Sequence, residues 1–219
     1  MSDRPGASGI QGVISDFGGV LTSPLLDAFA AIQASSGLSV EDLGHGMFAV
    51  AGRLGVNPLI ELETGRMSEA DFLRELGAQL SLQLGRSVEM QGFGEAYFES
   101  LHPNPAMIQY MRELRGRGYR MAICTNNVRE WESLWRAKLP VEEIFDVVVD
   151  SAFVGTRKPE PRIYQLTLDR LELPAEACLF IDDVDINCDG ARQAGMQAVH
   201  FRDTEQAIAE AEALLQGRE

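Results

Sequence analysis

Short apolar runs and helical stripes alternate along most of this chain. The first run, residues 12–16, carries Val13 and Ile14, ends in Asp16 and is followed by Gly18-Gly19. That pattern reads as a buried strand closed by a tight turn. From about residue 22 to 101 the strand signal disappears. Helical stretches are expected there at 25–35, 40–50, 58–63, 68–80 and 94–100, with Ser68 as N-cap and Asp71 as the carboxylate of a capping box. After that the alternation is regular. A helix is expected over 105–115, with Ile108, Met111 and Leu114 on one face and Gly116 and Gly118 ending it. Strands are expected at 119–124, 147–150, 178–181 and 198–201, separated by helices at 128–138, 161–171 and 187–194 and followed by one at 204–215. The pattern predicts an α/β fold: a parallel sheet with helices on both faces and an all-helical insert after the first strand.

Composition narrows the function classes. The 219 residues are 45% hydrophobic and 24% charged, an ordinary globular balance. The formal net charge of -14 repels nucleic acid and anionic membrane, so neither is expected as a partner. A phosphorylated small molecule stays allowed, because a local cation overrules the global field. Cys124, Cys178 and Cys188 form no Cys-x-x-Cys pair, which argues against a zinc cage or a disulfide framework and fits a reducing cytoplasm. No apolar run approaches the ~18 residues of a membrane span. Residues 1–8 are polar and read as a disordered lead-in without a signal-peptide core.

In parallel sheets ligands bind beyond the carboxyl ends of the strands. Four such ends carry distinctive groups: Asp16; Thr125-Asn126-Asn127; Arg157-Lys158-Pro159 in the loop after the third strand; and Asp182-Asp183. The set suits a phosphate and a hard cation. Three carboxylates converging on one rim repel one another unless a cation joins them, and Mg²⁺ takes oxygen ligands. Lys158 can neutralise phosphoryl oxygens, and Thr125 and Asn126 can donate hydrogen bonds to them. Gly18 and Gly19 let the backbone approach closely. Asp16 is then free to act as a covalent nucleophile.

These motifs, in this order, resemble the haloacid dehalogenase-like superfamily from about residue 12 to 201. Asp16-Phe17-Gly18-Gly19-Val20 matches its opening motif, Thr125-Asn126 its second, Lys158 its third and Asp182-Asp183 its fourth. The helical stretch lies where that family places its type-1 cap. The wording is similar to the subgroup of bacterial glucose-1-phosphate phosphatases and the phosphatase domain of soluble epoxide hydrolase. The resemblance implies a Rossmann-like core made of residues 1–21 and 102–219 and a cap domain of residues 22–101. It implies a Mg²⁺-dependent phosphatase acting on a small phosphomonoester, such as a sugar phosphate. Asp16 would attack phosphorus, Thr125 and Lys158 would hold the phosphoryl group with Asn126 near them, and Asp16, the Gly18 carbonyl and Asp183 would bind the metal, with Asp182 helping through water.

One position departs from the family pattern. Gly18 stands where the phosphatases carry a second aspartate, which protonates the leaving group; such help is worth roughly 10²–10⁴-fold. Three readings follow: a phosphatase for good leaving groups or with an acid borrowed from the cap, a 2-haloacid dehalogenase, or a catalytically weak domain that binds phosphate or protein. Asp182-Asp183 favours the first, since a metal-free site has little use for two further carboxylates. His45 and His102 are candidate stand-in acids that read more simply as surface histidines. Asp185 reads as a helix cap outside the metal site. Trp131 and Trp135, four apart on the helix expected at 128–138, read as core packing or as a contact in a homodimer rather than as a substrate platform.

Overall fold

Five strands form one parallel sheet in the order β3-β2-β1-β4-β5: β1 (Gly12–Ser15), β2 (Arg120–Thr125), β3 (Val147–Asp150), β4 (Cys178–Asp182) and β5 (Gln197–His200). The computed structural model describes residues 9–217 apart from 26, 27, 29, 31, 32, 35 and 36. The lead-in expected at 1–8 lies outside the described residues, as does much of the helix expected over 25–35. The helices are α1 (Val40–Leu54), α2 (Pro58–Glu63), α3 (Glu69–Leu84), α4 (Phe93–Glu99), α5 (Pro105–Gly116), α6 (Glu132–Arg136), α7 (Val141–Ile144), α8 (Ser151–Val154), α9 (Pro161–Leu171), α10 (Asp185–Gln193) and α11 (Thr204–Leu215).

Successive strand residues face opposite sides of a sheet. Val13, Met121, Ile123, Leu179 and Ile181 therefore join one core cluster with Met107 and Met111 of α5 and Ala207 and Ala211 of α11. Ile14, Ala122, Cys124 and Phe180 join the other with Ile163 and Tyr164 of α9 and Ala191 of α10. The three cysteines are buried and unpaired. Strand β1 is central, in register with β2 on one side and β4 on the other. The order of connection reverses at β1, so a crevice opens at its carboxyl end.

The insert, α1 to α4, lies between β1 and β2. Ser39 and Asp42 close a capping box at α1. Ser68 caps α3 by accepting from the Asp71 N–H, but the Asp71 carboxylate takes the Ser68 hydroxyl rather than returning to the backbone. Leu62, Phe72, Leu76, Leu80 and Met90 give the insert its own apolar core. The chain enters and leaves the insert side by side, at the antiparallel bridge between Thr22 and Pro103. Asn104 pins this crossing, its amide donating to the Val20 carbonyl and to Thr204 Oγ1. Among the described residues, no helix is long and apolar enough to cross a membrane.

The helix expected over 128–138 is replaced by a 3₁₀ turn, Arg129–Trp131, followed by the five-residue α6. Asn127 Oδ1 takes the Val128 N–H, and Trp131 sits at φ −91°, ψ 0°, which tightens the opening turn. The two tryptophans consequently separate. Trp135 is fully buried, its ring 5.3 Å from that of Phe17, in the core. Trp131 turns to the insert, stacks on Tyr97 at 5.5 Å and donates its indole N–H to Glu69 at 2.7 Å. Trp135→Ala should therefore cost about 3–5 kcal/mol in urea unfolding, through the cavity left beside Phe17. A cost below about 1 kcal/mol would mean the core does not close around it.

Candidate functional site

Asp16 ends β1 and still belongs to the ladder, its N–H donating to the Ile181 carbonyl at 2.8 Å. That bond orients the side chain toward the crevice. Asp16 Oδ1 accepts from the Phe17 N–H at 2.7 Å and lies 2.8 Å from Lys158 Nζ. Lys158 Nζ also lies 2.6 Å from Asp182 Oδ2. Lys158 is 1% exposed and Asp182 0%, so this is a desolvated carboxylate–ammonium–carboxylate chain. Burial works against the charged ammonium, but Asp16 and Asp182 outweigh it and hold Lys158 above the ordinary lysine pKa.

The neighbours of Lys158 explain how a loop residue is held so firmly. Asn126, just past β2, donates from Nδ2 to the Lys158 carbonyl at 3.0 Å and accepts the Lys158 N–H at Oδ1 at 2.8 Å. Both polar ends of the Asn126 side chain are thus committed to backbone, which makes it a clamp on Lys158. Asp182 is equally committed: Oδ1 accepts from the Val184 N–H and the Asn187 amide, and Oδ2 from Lys158. Thr125, buried at the end of β2, completes the rim.

The carboxylates of Asp16, Asp182 and Asp183 offer ligand atoms within 4.8 Å of one another. Burial pushes the Asp16 carboxyl up to about 7; Lys158 pulls it down, and Asp182 and Asp183 push it further up. Burial and then Asp182 raise Asp183 as well. One ammonium facing three carboxylates leaves negative charge in excess, and an all-oxygen donor set of this kind suits a hard divalent cation. Gly19 is required for the close approach: at φ +76° a Cβ would lie 2.1 Å from Asp183 Oδ2.

Over this cluster lies a cavity of about 700 Å³ between sheet and insert. Asp16, Gly18, Thr125, Asn126, Lys158 and Asp183 all line it, so the expected site residues converge, and Asp182 stands directly behind Lys158. His45 and His102 are exposed and do not line it. Asp185 is not the cap of α10; Val184 holds that position, Asp182 takes the Val184 N–H, and Asp185 begins the helix as an exposed first-turn residue. Two lining groups lie outside the residues expected at the site. Glu63, at the end of α2, meets Arg157 across the insert–core boundary at 2.6 Å. Burial raises the Glu63 pKa, with Arg157 and Lys158 opposing. Trp131 reaches the cavity through the 3₁₀ turn that the helical pattern does not foresee.

A family model described as haloacid dehalogenase-like hydrolase matches residues 10–195. Phosphatase MT3486 of Mycobacterium tuberculosis is 32% identical over 195 residues, 86% of each chain. Acyl-CoA dehydrogenase family member 10 of Mus musculus is 34% identical over 165 residues, 72% of this chain but 15% of that much longer protein. A haloacid dehalogenase family enzyme from Bacteroides thetaiotaomicron, solved in complex with magnesium and inorganic phosphate, shares the fold at a TM-score of 0.61 and 21% identity, over 87% of this chain and 93% of that one.

The Lys158 chain predicts a clear stability signature. Lys158→Met should destabilise the protein by about 3–5 kcal/mol, because it strands two buried carboxylates. Adding Asp182→Asn should recover part of that loss, read as a double-mutant cycle in urea. Strict additivity would contradict direct coupling.

Proposed function

The chain belongs to the haloacid dehalogenase-like hydrolase family, and from that premise we propose that it is a Mg²⁺-dependent phosphatase of a small phosphomonoester. The observation that carries this reading is Asp16 held by the buried Lys158 ammonium at the floor of the cavity between sheet and insert, with Asp183 beside it. Asp16 Oδ1 is engaged by Phe17 N–H and Lys158, and the carboxylate attacks phosphorus to form an aspartyl-phosphate. Lys158 and Thr125 hold the phosphoryl oxygens. Asn126 serves by fixing Lys158. A bound Mg²⁺ would be held by Asp16, Asp183 and the Gly18 carbonyl, and supplies charge neutralisation of the phosphoryl group. Asp182, its oxygens already occupied, reaches such an ion through water.

Residues 22–101 act as a cap over a core of 1–21 and 102–219. The bridge at Thr22 and Pro103 supports those limits. The cap excludes water from the reacting centre. The buried, unpaired cysteines fit a reducing cytoplasm. The carboxylate cluster weighs against a haloacid dehalogenase, which has no use for Asp183.

Two experiments test the reading. With p-nitrophenyl phosphate, activity should require Mg²⁺, and Asp16→Asn should lower it by about a thousandfold or more. Activity indifferent to both changes sinks the phosphatase assignment. Gly18→Asp should raise turnover of poor leaving groups by roughly ten- to a hundredfold, if a missing acid is the limit. A Cβ at position 18 would lie 3.1 Å from Leu25 Cδ2, so Gly18→Asp is best paired with Leu25→Ala. A loss of activity in both variants would mean the site is shaped around the glycine.

A further inference from the structure

The cavity above Asp16 has two unlike halves. Its floor is polar, made of the residues just described. Its walls on the cap side are apolar, with Leu43, Met47, Leu62, Phe72 and Leu76 prominent. Among the described residues, Glu63 is the one charged side chain that the cap adds to the lining, and Arg157 already faces it at 2.6 Å. On these walls a sugar would lose water from its hydroxyls and find few partners, at a penalty on the order of tenfold in affinity for each group left unpaired.

The remaining wall is aromatic. The Phe93 and Tyr97 rings lie 11° from parallel at 6.5 Å, and Tyr97 and Trp131 lie 23° from parallel at 5.5 Å. Phe98 stands edge-on to Tyr97 at 85° and to Trp131 at 79°. All four line the cavity. A row of near-parallel rings is best extended by another flat apolar ring, which can meet it offset or edge-on.

Gly18 gives an independent indication. The place where a proton-donating side chain would begin is covered by Leu25, and the one carboxylic acid that the cap adds to the lining, Glu63, already faces Arg157. An alkoxide leaves badly from such a site, whereas a phenolate needs no proton to leave.

We propose that the substrate is an aryl phosphomonoester, its flat apolar body seated among Phe93, Tyr97, Phe98 and Trp131 and its phosphoryl group on the Asp16 floor. The proposal rests on the phosphatase reading and sharpens it away from sugar phosphates. Asp16 forms a bond to phosphorus, the bond from phosphorus to the aryl oxygen breaks, and the electron pair departs with the phenolate. Water then displaces the Asp16 oxygen from phosphorus, giving inorganic phosphate and releasing a proton to solvent.

The test measures kcat/KM with Mg²⁺ for phenyl, 2-naphthyl and cyclohexyl phosphates and for glucose 1-phosphate, with inorganic phosphate as competitive inhibitor. 2-Naphthyl phosphate should exceed phenyl phosphate by about tenfold, mostly in KM, from the added apolar area buried. Phenyl phosphate should exceed cyclohexyl phosphate by about a hundredfold or more, and glucose 1-phosphate should trail phenyl phosphate. Phe93→Ala should shrink the naphthyl advantage while leaving inhibition by inorganic phosphate unchanged. Faster turnover of the sugar or cyclohexyl ester, or a naphthyl advantage untouched by Phe93→Ala, would overturn the aryl class and leave the phosphatase reading standing. Turnover of none of the four esters, and none of p-nitrophenyl phosphate, would overturn both.

Discussion

The ammonium of Lys158, buried between Asp16 and Asp182, is the interaction on which the rest of the site depends. It joins three separate pieces of chain: the end of β1, the end of β4 and the loop that follows α8. Adjacent pairing of β1 and β4 brings the two aspartates to one side, and the Asn126 clamp delivers the lysine from the other. A buried charge is expensive unless it is paired and hydrogen-bonded. Lys158 is paired by both aspartates, and each aspartate keeps this ion pair only while Lys158 stays in place. The fold therefore fixes the direction of the Asp16 carboxylate, and a fixed carboxylate is what covalent attack requires.

The same charge balance explains the affinity expected for a cation. Three carboxylates meet one ammonium, and both Asp16 and Asp183 are pushed toward their neutral forms by burial and by Asp182. A divalent ion would remove that pressure and restore the nucleophilic form. On the proposed reading, polar floor and apolar walls divide the work: the sheet end would hold the phosphate, and the cap whatever the phosphate is attached to.

Much of this was legible in the sequence for a simple reason. Strands of a parallel sheet alternate residues between two cores, so their apolar pattern is strong, and their carboxyl ends are where polar residues such as Asp16, Thr125 and Asp182 stand out. Helices α2, α9 and α11 fall where their apolar stripes predict them. What escaped depends on how distant pieces fold back on one another. Glu63 has no local signal, because its meaning comes from Arg157 across the boundary. Trp131 looks like a partner of Trp135 on one helix face, but a 3₁₀ turn sends them to different places. Asn126 reads as a phosphate donor by position, and its clamp on the Lys158 backbone is a role that only the folded loop reveals. The apolar character of the cavity is likewise a property of the assembled cap, since its walls come from several helices.

The central claim is that Asp16 carries the phosphoryl group during turnover. The direct measurement is acid quenching of the enzyme in the presence of Mg²⁺ and p-nitrophenyl phosphate, followed by peptide mass spectrometry. The account predicts one phosphoryl group on the peptide containing Asp16, and none in Asp16→Asn. Steady turnover with no phosphorylated peptide, or with the group on another residue, would contradict it.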